Sequence, residues 1–406
     1  MSAPRVVVTD AARGSAVSII RSLGRRGAQV IAADSDRRAP GFYSRFAAER
    51  FVYPKPDASP EAVVDALHRL AVERSVDLIV PVTDDVIVPL SEERERFRGV
   101  CSLAIAETDA LAATRDKLAT LELARSLGVP TPRTALVSTA EQARREAASL
   151  GWPIVLKPQA SRVYGEGGTT LEAMNVTYAD SVEMLDERMR RFEGRCAVLL
   201  QEYCDGEGNG IELLMNRGRP IAAFQHHRLR EVPVTGGASS YRESVALDPV
   251  LYGYALRMLE ALEWTGLAMV EFKTGPKGPM LMEINGRVWG SLPLAIRSGV
   301  DFPAGLLDVY LGRNGNGNGG APNGYQVGTR ARNLELEVVW IGSVLRGRPR
   351  YPFLGQPPRK AGMRALGELI TRPKGFDMGD PEDRKPAFVE LLKIAQKLGR
   401  KARNER

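Results

Sequence analysis

Glu271 and Glu283 each interrupt an apolar run, 267–272 and 279–284, that otherwise reads as a buried β-strand. Between the runs stand Gly275, Pro276, Lys277 and Gly278, which predict a hairpin closed by a longer loop. Side chains alternate along a strand, so Glu283, Asn285 and Arg287 share a face if the chain stays extended. Two carboxylates and a carboxamide are hard oxygen donors that suit Mg²⁺, an ion usually completed by substrate phosphates. A metal–nucleotide site is therefore expected. A solvated polar hairpin edge is the plainer reading, but acids placed within buried strands argue against it.

Two further features could act on phosphate. Lys157 ends the apolar stretch 152–158, and a buried strand seldom ends in an unpaired lysine. Residues 161–170, SRVYGEGGTT, follow as a glycine-rich loop in which Gly165, Gly167 and Gly168 permit close backbone approach to an anion. Residues 199–206, LLQEYCDG, then carry a strand into a turn whose backbone could meet a base edge.

These groups need elements to position them. Short apolar runs at 5–10, 29–34 and 77–82 alternate with helical patterns at 15–26 and 60–75, which implies a parallel α/β sheet. The first turn, TDAARGS, lacks the glycine spacing that seats a pyrophosphate, so Asp34 reads as a loop acid rather than a ribose ligand. Helices are expected at 114–127, 181–191 and 252–262, with a strand at 197–203 and a second hairpin formed by 211–215 and 220–226. Residues 313–324, RNGNGNGGAPNG, read as a linker before a small, partly helical C-terminal appendage.

Composition sets the outer limits. At 406 residues, two or more domains are expected, and 44% hydrophobic with 26% charged residues is ordinary for a globular chain. Three cysteines, Cys101, Cys196 and Cys204, show no metal-ligand spacing and fit a reducing, cytoplasmic setting. No segment is long and apolar enough to span a bilayer. The net charge of +7 is dispersed among helices that also carry glutamate, so nucleic acid is not the expected partner and an anionic small substrate is.

The order Lys117, Lys157, glycine-rich loop, Gln201-Glu202-Tyr203, Glu271 and Glu283-Ile284-Asn285-Gly286-Arg287 resembles the ATP-grasp superfamily. The likeness is to its carbamoyl phosphate synthase and biotin carboxylase branch, from residue 1 to about 312. The segments TGGASSYRES (235–244) and EINGRVWGSLPLAIRSGVDFP (283–303) look like bacterial carboxylate–amine ligases. The resemblance implies an ATP-grasp fold of mixed α/β and α+β character. A Rossmann-like domain would span 1–112, a small subdomain with the phosphate loop 113–195, and a large subdomain 196–312, ahead of the linker and appendage at 313–406.

It also implies roles. Lys117 and Lys157 would contact ATP phosphates beneath the 161–170 lid, and Glu202, Tyr203 and Cys204 would form the adenine hinge. Glu207 or Glu212 would hold the ribose. Glu271, Glu283 and Asn285 would bind Mg²⁺, with Mn²⁺ as a substitute, and Arg287 would neutralise the transferring phosphoryl group. Arg228 and Arg242, with Arg230 ranked below them, are candidates for a substrate carboxylate or γ-phosphate, since a guanidinium fork matches such anions. Thr83, Asp84 and Asp85 follow a parallel strand at its carboxyl end, where ligands gather, and are candidates for the acceptor pocket. His226 and His227 read as packed and surface residues. The expected activity is an ADP-forming carboxylate–amine ligase working through an acyl phosphate on small-molecule carboxylate and amine substrates, with a homodimer as the candidate assembly. A carboxyphosphate-type carboxylase and a catalytically silent nucleotide-binding scaffold are the alternatives.

Overall fold

Val6, Val7 and Val8 are fully buried because strand Arg5–Val8 runs through the middle of a sheet covered on both faces. A computed structural model describes residues 3–159, 162–164, 171–173, 176–312, 324–347, 350–371 and 375–404. This first sheet is wholly parallel, in the order Ala47–Val52, Gln29–Asp34, Arg5–Val8, Leu78–Val80, Ser102–Leu103. Helices Gly14–Arg25 and Pro60–Arg74 separate its strands, as the alternating pattern implies. Asp34 gives its carboxylate to the backbone N–H groups of Ala12 and Asp36, both at 2.7 Å, and so works as a loop acid.

A second, antiparallel sheet orders Thr177–Ala179, Ile154–Pro158, Val198–Glu202 and Thr134–Val137. Helices Ala140–Leu150 and Val182–Met189 cover one face, burying Leu150, Leu156, Leu185 and Leu200 together. Each such side chain contributes about 1.5–3 kcal/mol of burial free energy. Strands Arg162–Tyr164 and Leu171–Ala173 pair antiparallel. Gly165, Gly167 and Gly168 lie outside the described residues, as does most of the 313–324 segment.

The third sheet has six antiparallel strands, ordered Gly278–Asn285, Gly266–Gly275, Glu207–Asn216, Arg219–Val232, Ala238–Ser244 and Arg330–Arg332. Helix Pro249–Ala261 packs Leu251, Ala255 and Met258 against one face. On the other face, Phe302 and Leu306 of helix Phe302–Leu311 pack with Trp289, Phe224 and Leu267.

Three expectations change. The expected longer loop of the hairpin is a two-residue turn, because pairing continues to Gly275 opposite Gly278, where a φ of 87° suits glycine. The helix expected at 114–127 is two, Thr108–Arg115 and Lys117–Ser126, broken where Asp116 caps the second by accepting from the N–H groups of Leu118 and Ala119. The expected appendage is stitched into the body. Arg330–Arg332 supplies the sixth strand of the large sheet, and Asp383 reaches Arg21 of the first helix at 2.9 Å with both side chains buried. No helix among the described residues is long and apolar enough to cross a membrane.

Candidate active site

The hairpin carries a β-bulge between Glu271 and Phe272 that sets the chemistry of its face. Phe272 pairs with Leu281, yet Glu271 pairs with Glu283, so Met282 is the extra residue. The shift places the two carboxylates directly opposite one another on one face of the sheet. Asn285 joins them, its Nδ2 lying 2.9 Å from Glu271 Oε1 and 3.1 Å from Glu283 Oε1. Burial pushes the Glu271 carboxyl up, and Glu283 pushes the same way against the pull of Arg228.

That arrangement fits a hard divalent cation. A cation between the carboxylates would relieve their repulsion, and rotating the Asn285 amide would turn Oδ1 toward the same point. Among the described residues no three His, Cys, Asp or Glu side chains cluster, so the donor set is two carboxylates and this amide.

Arg228 reaches the pair from two strands away. Its Nη2 lies 2.6 Å from Glu271, while Nη1 lies 3.2 Å from Glu231 and donates to the Gly237 carbonyl at 3.0 Å. Burial works against the Arg228 charge, but Glu271 and Glu231 outweigh it and hold the guanidinium firmly protonated. The side chain crosses the sheet over Gly208, where a Cβ would stand 2.9 Å from Arg228 Cδ. Beside it, a Cβ on Gly210 would stand 2.3 Å from His226 Cε1. The Gly-Asn-Gly of this strand is a trough for two side chains.

Arg287 sits just beyond the strand end and bonds Asp84 Oδ2 at 3.0 Å, tying the hairpin to the carboxyl edge of the parallel sheet. Lys117 begins the Asp116-capped helix, and Lys157 faces inward on the small sheet. Burial lowers the pKa of both ammonium groups, and Glu283 is the leading charge pulling each back up. Lys117, Lys157 and Glu283 thus come together from three elements. Lys273, absent from the sequence expectations, joins them: its Nζ donates to the Cys204 carbonyl at 3.3 Å and lies 5.5 Å from the Tyr203 ring centroid. Its signal was its place two residues past Glu271 on the same face.

Other candidates fall elsewhere. The Glu202 carboxylate accepts from Arg133 Nε at 3.0 Å and Lys277 Nζ at 3.3 Å, and its backbone N–H donates to the Arg133 carbonyl at 3.0 Å. Burial alone would raise its pKa, but Arg133 and Lys277 hold it below the usual range. Glu207 lies exposed at its strand's start, with its Oε2 3.2 Å from His227 Nε2. Glu212, expected at the ribose, is fully buried, accepts from Ser291 Oγ at 2.7 Å and lies 2.9 Å from His226 Nδ1. Arg242, expected at a substrate anion, instead bonds Asp377 through Nη2 at 2.5 Å within a buried pair. Arg230 is held by Glu337 and Glu368, each at 2.7 Å.

A family profile described as ATP-grasp in the biosynthetic pathway with Ter operon matches residues 195–333, which hold the hairpin, the glycine trough and Arg287. Residues 195–333 thus match an ATP-grasp domain. A formate-dependent phosphoribosylglycinamide formyltransferase of Synechococcus sp. (strain CC9311) is 31% identical over 182 residues, covering 45% of this chain and 43% of that protein. The chain thus spans less than half the length of that relative. A biotin carboxylase–β,γ-ATP complex from Campylobacter jejuni superposes with a TM-score of 0.63 at 17% identity, covering 81% of this chain and 74% of the other. An L-amino acid ligase from Bacillus licheniformis does so at 0.58 and 18% identity, covering 77% and 74%. The ATP-grasp fold of mixed parallel and antiparallel sheets is shared with both.

Proposed function

We propose that this ATP-grasp protein is an ADP-forming carboxylate–amine ligase. The observation that carries the reading is the convergence of Glu271, Glu283 and Asn285 with Arg228, Arg287, Lys117 and Lys157, drawn from the large sheet, the small sheet and the helix that Lys117 begins, with Arg287 tied to Asp84 at the edge of the parallel sheet. Relatives that include the formyltransferase and the L-amino acid ligase support it. Four cationic groups around two carboxylates suit a polyphosphate and its metal. The backbone of 202–204 would take the adenine edge, with Lys273 beside it, and Glu207 the ribose.

Glu271, Glu283 and Asn285 would hold Mg²⁺, or Mn²⁺ in its place, which when bound draws charge off the phosphoryl oxygens. Lys117 and Lys157 position the phosphates by charge. A substrate carboxylate attacks the γ-phosphorus, the bond to the ADP oxygen breaks, and an acyl phosphate forms. Arg287 and Arg228 stabilise the negative charge that spreads over the transferring group. An amine then attacks the acyl carbon, forming the C–N bond as phosphate leaves and the nitrogen gives up a proton. Three cysteines, none of them disulfide-bonded, support a reducing cytoplasmic setting.

The test is ADP release from ATP with amino acids supplied in pairs. Glu283→Gln and Arg287→Ala should each lower turnover by roughly two orders of magnitude or more, as for other lost charge-stabilising groups. Folded variants that release ADP at the native rate would sink the mechanism. ATP binding without ADP release from any carboxylate would turn the reading to a silent scaffold.

A further inference from the structure

A cavity of about 400 Å³ adjoins this site, within the range of pockets that hold small organic molecules, and the nucleotide reading leaves it unused. Its walls come from three places: Val176 and Tyr178 at the edge strand of the small sheet, residues 233–236 at a turn of the large sheet, and residues within 343–347 and 350–359. That last wall lies beyond residue 333, where the family match ends.

The chemistry of the walls is one-sided. Arg350 and Arg359 both line the cavity, and among the described residues no aspartate or glutamate does. Val176, Val234 and Val344 supply an apolar surface, and Tyr178 and Tyr351 meet edge to face with ring centroids 4.9 Å apart. An apolar body carrying an anionic group matches this lining, because a guanidinium pairs with a carboxylate fork to fork.

The cavity and the reacting face share one turn. The Gly237 carbonyl accepts from Arg228 Nη1 at 3.0 Å, and the same guanidinium lies 2.6 Å from Glu271. Gly236 has a φ of 119°, and a Cβ built there would lie 3.9 Å from Lys273 Nζ. One turn thus lines the cavity on one side and meets Arg228 and Lys273 on the other.

We propose that this cavity is the subsite for the amine-bearing substrate, which it grips by that substrate's own carboxylate at Arg350 and Arg359 and by its apolar body. The assignment rests on the ligase reading for the amine but not for the binding, so the two fail separately. Calorimetry on the full chain without nucleotide would compare phenylalanine, 3-phenylpropionate, 2-phenylethylamine and inorganic phosphate. Phenylalanine and 3-phenylpropionate should bind and phenylethylamine should not. Arg350→Gln, Arg359→Gln and the cavity-filling Ser343→Trp should each weaken binding about tenfold or more, with the melting temperature and ATP affinity retained. In turnover assays the same variants should raise KM for the amine and leave KM for ATP in place. Failure of both carboxylates to bind, or binding indifferent to all three substitutions, would overturn the subsite. Phosphate binding tighter than either carboxylate and lost in the arginine variants would overturn it too, as a phosphate site. A protein that binds phenylalanine as described yet forms no ADP would keep the subsite and lose the ligase.

Discussion

Arg228 reaches the face of Glu271 and Glu283 because Gly208 has no side chain. An alanine there would put its Cβ 2.9 Å from Arg228 Cδ and 3.1 Å from Glu231 Oε1, so the arginine would have to leave its path to Glu271. Gly208→Ala is expected to lower kcat by one to two orders of magnitude, since a displacement of about 1 Å at a reacting group can cost about a hundredfold. Steady-state ADP release with a parallel melting curve checks this; native kcat in the variant would remove Arg228 from the mechanism. Lys157→Ala is expected to weaken ATP about tenfold or more while leaving amine binding alone, because a charge-assisted phosphate contact is lost. Unchanged ATP affinity by calorimetry would exclude Lys157 from the phosphate site. The two kinds of residue differ in how far sequence exposes them. Lys157, Glu271, Glu283 and Asn285 stand out as polar groups in apolar runs. The trough does not, because it exists only when Arg219–Val232 lies beside Glu207–Asn216 and its long side chains need somewhere to go.

Strand alternation alone brings out the hairpin but not its register. Glu271 and Glu283 face one another only because Met282 bulges, and no residue type in the run announces it. The helix break before Lys117 is similarly quiet, although Asp116 is a good N-cap type. Asp116→Ala should cost about 1 kcal/mol of stability, since two backbone N–H groups lose their acceptor, and should weaken ATP by letting Lys117 drift. Denaturant midpoints and calorimetry would show whether both changes occur; a variant as stable as the parent would deny the cap its role. The C-terminal helix Lys385–Asn404 adds a pH effect. Burial pushes the Glu390 carboxyl up to about 7 from the ordinary 4.5, with Asp377 and Glu335 adding to it and Arg21 opposing. The folded state then holds the extra proton between those values, so stability falls as pH rises through the window. Glu390→Gln should match the parent near pH 4.5 and exceed it above pH 7 by roughly 1–2 kcal/mol, less than the ~3 kcal/mol of the full shift because the group is partly exposed. Melting curves that stay parallel from pH 4.5 to 8 would contradict it.

Three sheets meet around the proposed site, so the whole molecule must hold them in register. Arg287 to Asp84 is one tie at the centre. The larger tie is the acidic segment 375–383, GFDMGDPED, which runs between the first helix and the large sheet. Asp377 pairs with Arg242 of the large sheet, and Asp383 with Arg21 of the first helix, all four side chains being buried. Arg297 donates to the carbonyls of Phe376 and Gly379, and Arg25 pairs with Asp380 and Glu382. The sequence shows acids at 377–383 and arginines scattered through 21–332, but their meeting rests on separations of 135 to 362 residues. Local pattern carries no information over such distances, which is why this stretch reads as an appendage until it is folded. The segment's effect is open to measurement. Asp383→Ala leaves Arg21 buried without its carboxylate and removes the acceptor for Ser44 Oγ at 2.7 Å, so a loss of about 3–5 kcal/mol is expected. Arg21→Met with Asp383→Leu removes both charges together and should recover much of that loss, because neither ion is then stranded in a low-dielectric interior. If the segment only decorates the surface, Asp383→Ala will unfold at the parent's denaturant midpoint. If it fastens the first helix to the large sheet, the single variant will also lose ADP release well below its unfolding midpoint, as Asp84 and Arg287 part before either domain melts, and the double variant will not.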